Sequence, residues 1–210
     1  MRLYLASTSP ARLATLRAAG IEPVLLSSGV DEEAAAATAG PLDGPGLVEL
    51  IARAKAEAVV GRTVDGEPID GFILGGDSTF ELDGALYGKP HEPAVARERW
   101  LLQRGRTGLL HSGHWLIDSR GGIVGDATGG VATAKVRFAP DITEQEIDAY
   151  IATGEPLSVA GAFTIDSLGA PFIAGIEGDP HAVVGLSLTL LRDLLNQFDV
   201  SWPTLWNRAL

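Results

Sequence analysis

Phe72-Ile73-Leu74 is a short apolar run bounded by glycine, and it reads as a strand buried in a sheet. The chain continues Gly75-Gly76-Asp77-Ser78, small residues expected to form the turn at the strand's end. That is where α/β sheets present their chemistry, so Asp77 is the first candidate functional residue. Lys89 follows an Asp83-Gly84 hairpin signal, which would return it to the same end of the sheet. A carboxylate and an ammonium brought together suit a metal and an anion, although a plain salt bridge is the blander reading.

The rest of the chain is compatible with a fold built around that strand. Its 210 residues suit one domain, or two small lobes sharing a core, and 46% of them are apolar against 20% charged, the mark of a globule rather than of disorder. No apolar run approaches the roughly eighteen residues of a membrane span. The start, Met1 to Ala6 followed by Ser-Thr-Ser-Pro, is too short for a signal peptide, so a cytoplasmic protein is expected. Without cysteine there is no disulfide, no thiolate-bound zinc and no thiol nucleophile. A net charge of −11 argues against nucleic acid as partner, yet small phosphorylated ligands remain open through local cations, backbone amides or a metal. Lysine occurs only at positions 55, 89 and 135.

Residues 2–6 form a short strand by pattern, and Ser9 then caps a helix with Pro10 in its first turn, Leu13, Leu16 and Ala19 inward and Gly20 as stop. The hydroxyls and unpaired N–H groups of Ser7 to Arg12 could point outward as an anion site, although from spacing alone the reading of Ser9 as a cap and nothing more is favoured. Residues 22–27 read as a second strand with an acidic exit, Asp31-Glu32-Glu33, suited to a hard cation or simply to a solvated turn. A connector at 34–46 leads to a helix over 47–60 with Leu47, Leu50, Ile51, Ala54 and Ala58 on one side. Lys55 is expected at that helix's edge, facing a cleft or snorkelling to solvent. Further elements are a helix over 93–104 with Val95, Trp100 and Leu101 inward, strands near 109–117, 123–124, 131–138 and 172–176, a helix capped by Thr143, and a leucine-rich helix over 185–196. His111 and His114 lie three apart on a strand, hence on opposite faces, and are rejected as a chelate.

Several segments together resemble the Maf family of septum-formation-inhibitor-like proteins. Leu5-Ala6-Ser7-Thr8-Ser9-Pro10-Ala11-Arg12 resembles that family's LAS-x-SPRR opening, and Gly76-Asp77-Ser78 with Gly88-Lys89-Pro90 its ADT…GKP block. Ala52 to Ala56 is similar to its A-R-x-K-A helix, and Thr153-Gly154-Glu155-Pro156, Ala160-Gly161-Ala162-Phe163 and Val183-Val184-Gly185-Leu186 to its C-terminal motifs. The resemblance implies a nucleoside triphosphate pyrophosphatase that uses a divalent cation, magnesium or manganese, to release a monophosphate and pyrophosphate. It also implies an elongated α/β fold, a mixed sheet with flanking helices and two lobes around a deep cleft, as in inosine triphosphate pyrophosphatases. Residues 1–200 are expected as one Maf-like domain, 201–210 as a C-terminal tail, and a homodimer as the assembly.

On the family pattern, Asp77 takes the place of the catalytic base and, with Glu32, of a metal ligand. Lys55 and Lys89 take the phosphate-contacting lysines, and Ser7, Ser9 and Arg12 the phosphate loop. Four departures stand out: Ala11 for the first arginine of SPRR, Ser78 for the threonine of ADT, Asp166 for the glutamine of AGAYGIQG, and Gly108 for a histidine. The positions of Ala11, Ser78 and Asp166 are associated in the family with telling bases apart. Asp166 in place of an amide favours a base with a donor edge, so CTP over UTP. The competing readings are a phosphomonoesterase, which would release phosphate, and a non-catalytic regulator of cell division.

Overall fold

The computed structural model describes residues 1–208, so the last two residues of the expected tail lie outside it. In chain order its elements are β1 (Leu3–Ala6), α1 (Pro10–Ala18), β2 (Val24–Leu25), α2 (Glu32–Ala39), α3 (Gly44–Glu57), β3 (Thr63–Val64), β4 (Glu67–Pro68) and β5 (Gly71–Leu82). There follow β6 (Ala85–Tyr87), α4 (Pro93–Gln103), β7 (Thr107–Ser119), β8 (Ala127–Phe138), α5 (Glu144–Ala152), β9 (Ile173–Glu177), α6 (Pro180–Val184) and α7 (Leu188–Asn196). The main sheet runs β2-β1-β5-β7-β8-β9, with β6 also on β5. β1 is parallel to β2 and β5, whereas β6 on β5 and β9 on β8 are antiparallel, so the fold is mixed α/β. No helix among the described residues is long and apolar enough to cross a membrane.

The chain divides into two compact units. The first comprises Met1–Asp77, Ser112–Ala132 and Gly185–Leu210, and the second Ser78–His111 with Thr133–Val184.

In the first unit the alternation of side chains along β1 and β5 sorts the core. Leu3 and Leu5, paired with Phe72 and Leu74, share a cluster with Leu16 of α1 and Leu191, Leu194 and Leu195 of α7. Tyr4, Ala6 and Ile73 point the other way and cluster with Ala56 and Val59. Both faces are thus covered, which is why the strand reads as an unbroken apolar run. The chain does not turn at Gly75: β5 continues through Asp77 to Leu82, so the expected turn is corrected to strand interior. Glycine is there for a different reason. A Cβ on Gly75 would overlap the Ala52 carbonyl oxygen and stand 2.9 Å from Ala56 N, so α3 packs directly on the β5 backbone.

Three helix readings also change. The connector at 34–46 is largely helical, because Asp31 caps α2 and its alanines extend it. The buried face of α3 is Val48, Ile51, Ala52, Lys55 and Ala56, one step round from the face expected, and it includes the lysine. α1 buries Arg12, Thr15 and Leu16 rather than Leu13 and Ala19.

The second unit is organised on aromatic rings. Trp100 is fully buried, donates its indole N–H to Ala162 O at 2.7 Å, and meets Phe138, Tyr150 and Phe172 edge-on. Leu101, expected inward, is exposed, and Ala96 and Gln103 share the buried face of α4 with Trp100. The Asp83-Gly84 hairpin is present, with both residues at positive φ as a two-residue loop requires. Thr143 and Glu146 form the expected capping box at the start of α5. His111 bonds Thr133 and Glu81 in this unit, and His114 bonds Ser112 O and Ser187 N in the first, so neither belongs to a chelate.

Candidate active site

Three of the expected residues meet in the first unit. The Lys55 ammonium donates to Asp77 Oδ1 at 2.8 Å and lies 2.6 Å from Glu32 Oε1. The local folding explains the meeting. Gly75 brings α3 onto β5, and Asp77, two residues on, leaves the strand on the same face. Lys55 sits at the last turn of the buried stripe on α3, so it reaches the strand and not solvent. Glu32 is the first residue of α2, where a carboxylate suits the positive end of the helix. Exposure is graded across the trio, 9% for the Lys55 side chain, 14% for Asp77 and 45% for Glu32.

A second cation stands behind this cluster. Arg12 is buried on α1, where Nε donates to Gly185 O at 2.8 Å and Nη1 to Ser7 Oγ at 3.2 Å. Burial lowers its pKa from the usual value, while the negative charges of Asp77 and Glu32 work to raise it. Gly76 makes room for it: a Cβ there would stand 3.1 Å from Arg12 Nε. Ser7 Oγ also accepts from Ser9 N, and Ser9 Oγ accepts from Arg12 N as the helix cap. The loop's hydroxyl oxygens are therefore turned into the loop, which corrects the expectation that they face outward. Each hydroxyl still carries its own proton to donate.

The remaining expected residues lie in the second unit. Ser78 is half-buried and follows Asp77 along β5, where consecutive side chains leave on opposite faces. Lys89 and Asp166 are exposed. The third lysine, Lys135, pairs at the surface with Glu177 at 2.8 Å.

The donor set of the first unit fits a small hard dication. Two carboxylates already draw one cation, the Lys55 ammonium, to 2.6 and 2.8 Å. Magnesium ordinarily takes one or two carboxylates and fills the rest of its shell with water and substrate phosphate. Among the described residues no group of three or more His, Cys, Asp or Glu is placed to hold a metal ion by itself.

The family model described as Maf-like protein matches residues 2–198 of this sequence. The chain belongs to the Maf family. A relative from Leifsonia xyli subsp. xyli, called nucleoside triphosphate pyrophosphatase, is 67% identical over 100% of this chain and 98% of its own length. Relatives of the same name from Salinispora tropica and Cutibacterium acnes are 50% and 45% identical, over 100% and 97% of this chain and 89% and 93% of their own. A solved structure of the Staphylococcus aureus Ham1 protein is similar over 94% of this chain and 100% of that one, at 12% identity and a TM-score of 0.48, too remote to argue from.

One participant has no local signature in the sequence: Gly75 reads only as half of a glycine pair, and the reason for it is α3, well upstream in the chain, which no local pattern exposes.

Proposed function

We propose that the chain is a nucleoside triphosphate pyrophosphatase, hydrolysing a nucleoside or deoxynucleoside triphosphate to the monophosphate and pyrophosphate. The observation that carries this reading is the Lys55 ammonium held between the carboxylates of Asp77 and Glu32, with Arg12 behind them. Support comes also from the shared name of relatives that match along the whole chain.

In the proposed reaction the oxygen of water bonds to the α-phosphorus, and the bond from that phosphorus to the α,β-bridging oxygen breaks. Pyrophosphate leaves with the bridging oxygen. Asp77, mostly shielded from solvent, takes the proton of the attacking water. Lys55 and Arg12 place two fixed positive charges where negative charge collects on the leaving pyrophosphate. The Ser7 and Ser9 hydroxyls donate to phosphate oxygens. Magnesium or manganese would be held by Glu32 and Asp77, and when bound it neutralises phosphate charge and lowers the pKa of its water.

For Ser78, Lys89 and Asp166 the assignment as substrate contacts rests on the family pattern alone. Lys89 is taken as a phosphate contact, and Asp166 and Ser78 as selectors of the base, with CTP favoured over UTP. A role in cytoplasmic nucleotide-pool housekeeping and a homodimeric assembly belong to the same proposal.

Hydrolysis in oxygen-18 water tests the point of attack. The label is expected in the monophosphate, and label in the pyrophosphate would overturn attack at the α-phosphorus. Release of orthophosphate without pyrophosphate would transfer the chain to the phosphomonoesterases.

A further inference from the structure

His114 is fully buried on β7, yet no step of the proposed reaction uses it. Its two ring nitrogens have different partners, and those partners define the tautomer. The backbone N–H of Ser187 donates to Nε2 at 3.0 Å, so that nitrogen carries no proton. Nδ1 faces the carbonyl oxygen of Ser112 at 3.1 Å and is therefore the protonated one. A neutral imidazole thus reaches from the sheet to the segment that starts α7. All the residues concerned belong to the first unit.

Both ends of that reach are fixed. Gly113, next to His114 on β7, lies directly under α3 on the opposite face of the strand. A Cβ there would overlap Val48 O and stand 2.8 Å from Glu49 N, so the backbone that carries the imidazole has no room to move towards α3. At the other end Ser187 caps α7, its Oγ accepting from Leu190 N at 3.0 Å. The hydroxyl of Ser187 serves the helix, and its N–H serves His114.

Two residues before Ser187 the chain meets Arg12. Gly185 has a φ of 113°, a value open to glycine and strained for other residues, and its carbonyl oxygen accepts from Arg12 Nε at 2.8 Å. Arg12 Nη1 donates to Ser7 Oγ at 3.2 Å, and contacts on two nitrogens of one guanidinium set the plane of the group. The segment 185–187 is therefore a short bridge, held by His114 at one end and holding Arg12 at the other. Without an acceptor at position 114 the buried Ser187 N–H would have to find another partner, and the bridge would turn with it.

We propose that His114 is a positioning residue for Arg12: by holding the Ser187 amide it fixes the Gly185 carbonyl and, through it, the direction of the guanidinium. This rests on the reading of Arg12 as a cation that stabilises the leaving pyrophosphate, and adds to it a residue that acts through the backbone. A merely structural His114 would affect turnover by the same factor with or without Arg12. A positioning His114 acts only where there is a guanidinium to aim.

The test is a double-mutant cycle of His114→Asn with Arg12→Ala. Asn keeps a donor near Ser112 O but is too short to reach Ser187 N, whereas His114→Gln restores an acceptor at the distance of Nε2. Pyrophosphate release from ATP, GTP, CTP and UTP gives kcat/KM. Calorimetry with a non-hydrolysable triphosphate analogue gives affinity in the same proteins, so the cycle closes even where turnover of Arg12→Ala is small. Thermal melting checks folding. In the presence of Arg12, His114→Asn is expected to lower kcat/KM by about tenfold or more, the scale of a small misplacement at a reacting centre. In the Arg12→Ala background the same change is expected to cost less than about twofold, although both backgrounds lose a similar amount of Tm. His114→Gln should stay within about threefold of wild type. Proton–nitrogen NMR of the four histidines should show one imidazole, absent in His114→Gln, that is protonated at Nδ1. Equal losses in both backgrounds, unchanged turnover in His114→Asn, a loss in His114→Gln as deep as in His114→Asn, or a His114 protonated at Nε2 would each overturn the positioning role. If wild type released pyrophosphate from none of the nucleotides, the underlying reading would fail and the proposal with it, an outcome separate from the others.

Discussion

Gly75→Ala is the smallest change that should break the candidate site without touching any residue in it. The added Cβ would overlap Ala52 O and stand 2.9 Å from Ala56 N and 3.0 Å from Ala52 C, against the 3.4 Å at which ordinary contact begins. All three atoms are backbone, so no rotamer change relieves the clash, and α3 must retreat from β5 by roughly 1 Å in a core that does not compress. Overpacking of this kind costs about 1–3 kcal/mol, and the upper end applies where backbone meets backbone. For a chain of this size each kcal/mol is worth about 2–4 °C of Tm, so a fall of about 6–12 °C is expected. Lys55 rides on α3 and Asp77 on β5, so the same retreat separates the 2.8 Å pair. A misplacement of about 1 Å at a reacting centre can cost about a hundredfold in rate. Thermal melting and pyrophosphate release measure the two effects, with Gly125→Ala as control, since a Cβ there meets nothing nearer than 3.6 Å. Wild-type Tm and kcat/KM in Gly75→Ala would refute the packing argument. A lowered Tm with full activity would refute the link from α3 to the chemistry.

Three further predictions follow from the same geometry. Asp77→Asn keeps the shape but removes the proton acceptor, and pyrophosphate release should fall by about 10²–10⁴ while the Tm is less affected than in Gly75→Ala; near-normal turnover would remove Asp77 from its role. Without divalent cation, binding of a non-hydrolysable triphosphate analogue should weaken at least tenfold by calorimetry, and equal affinity with and without metal would count against Glu32 and Asp77 as its ligands. Glu155 has a folded pKa held below its ordinary 4.5, so its contribution to stability is present above 4.5 and lost as pH falls through the lowered value. The stability gap between wild type and Glu155→Gln in urea unfolding should therefore narrow below pH 4.5, and a gap that widens there would contradict the sign.

How far the sequence could be read depended on whether the reason for a residue was local. The start of α1 was legible because Ser9 and Pro10 act within one turn, and so was the Asp83-Gly84 hairpin, whose two residues adopt their positive φ by themselves. The two-sided burial of Phe72 to Leu74 was legible as an apolar run. Gly75-Gly76 misled, since a glycine pair normally marks a turn and here makes room for Ala52 on one face and Arg12 on the other. The stripe on α3 was displaced by one position because alanine is apolar on any face, and only Gly75 decides which alanines lie against the strand. Of the site, Asp77, Glu32, Lys55 and Arg12 were legible as candidates from their local settings, and their roles came from the family pattern. Their contact did not, since it depends on three elements meeting and on one helix lying close enough to a strand.

The position of Lys55 bears on what that contact is for. An apolar side chain there would simply extend the stripe of Val48, Ile51, Ala52 and Ala56, and replacing a buried ion pair by apolar packing is commonly neutral or stabilising. Stability therefore gives no reason for an ammonium at this depth between two carboxylates. Charge balance does. Asp77 and Glu32 bring two negative charges, Lys55 and Arg12 two positive ones, so the cluster is close to neutral within a chain of net charge −11. A neutral cluster neither repels a triphosphate nor binds it strongly. On the proposed function, a dication held by the same two carboxylates would make it attractive, and the ammonium would then have less to gain from Asp77 and Glu32 and more from phosphate oxygen. In that reading Lys55 is the charge that balances the two carboxylates and would turn to the substrate when a metal shared them.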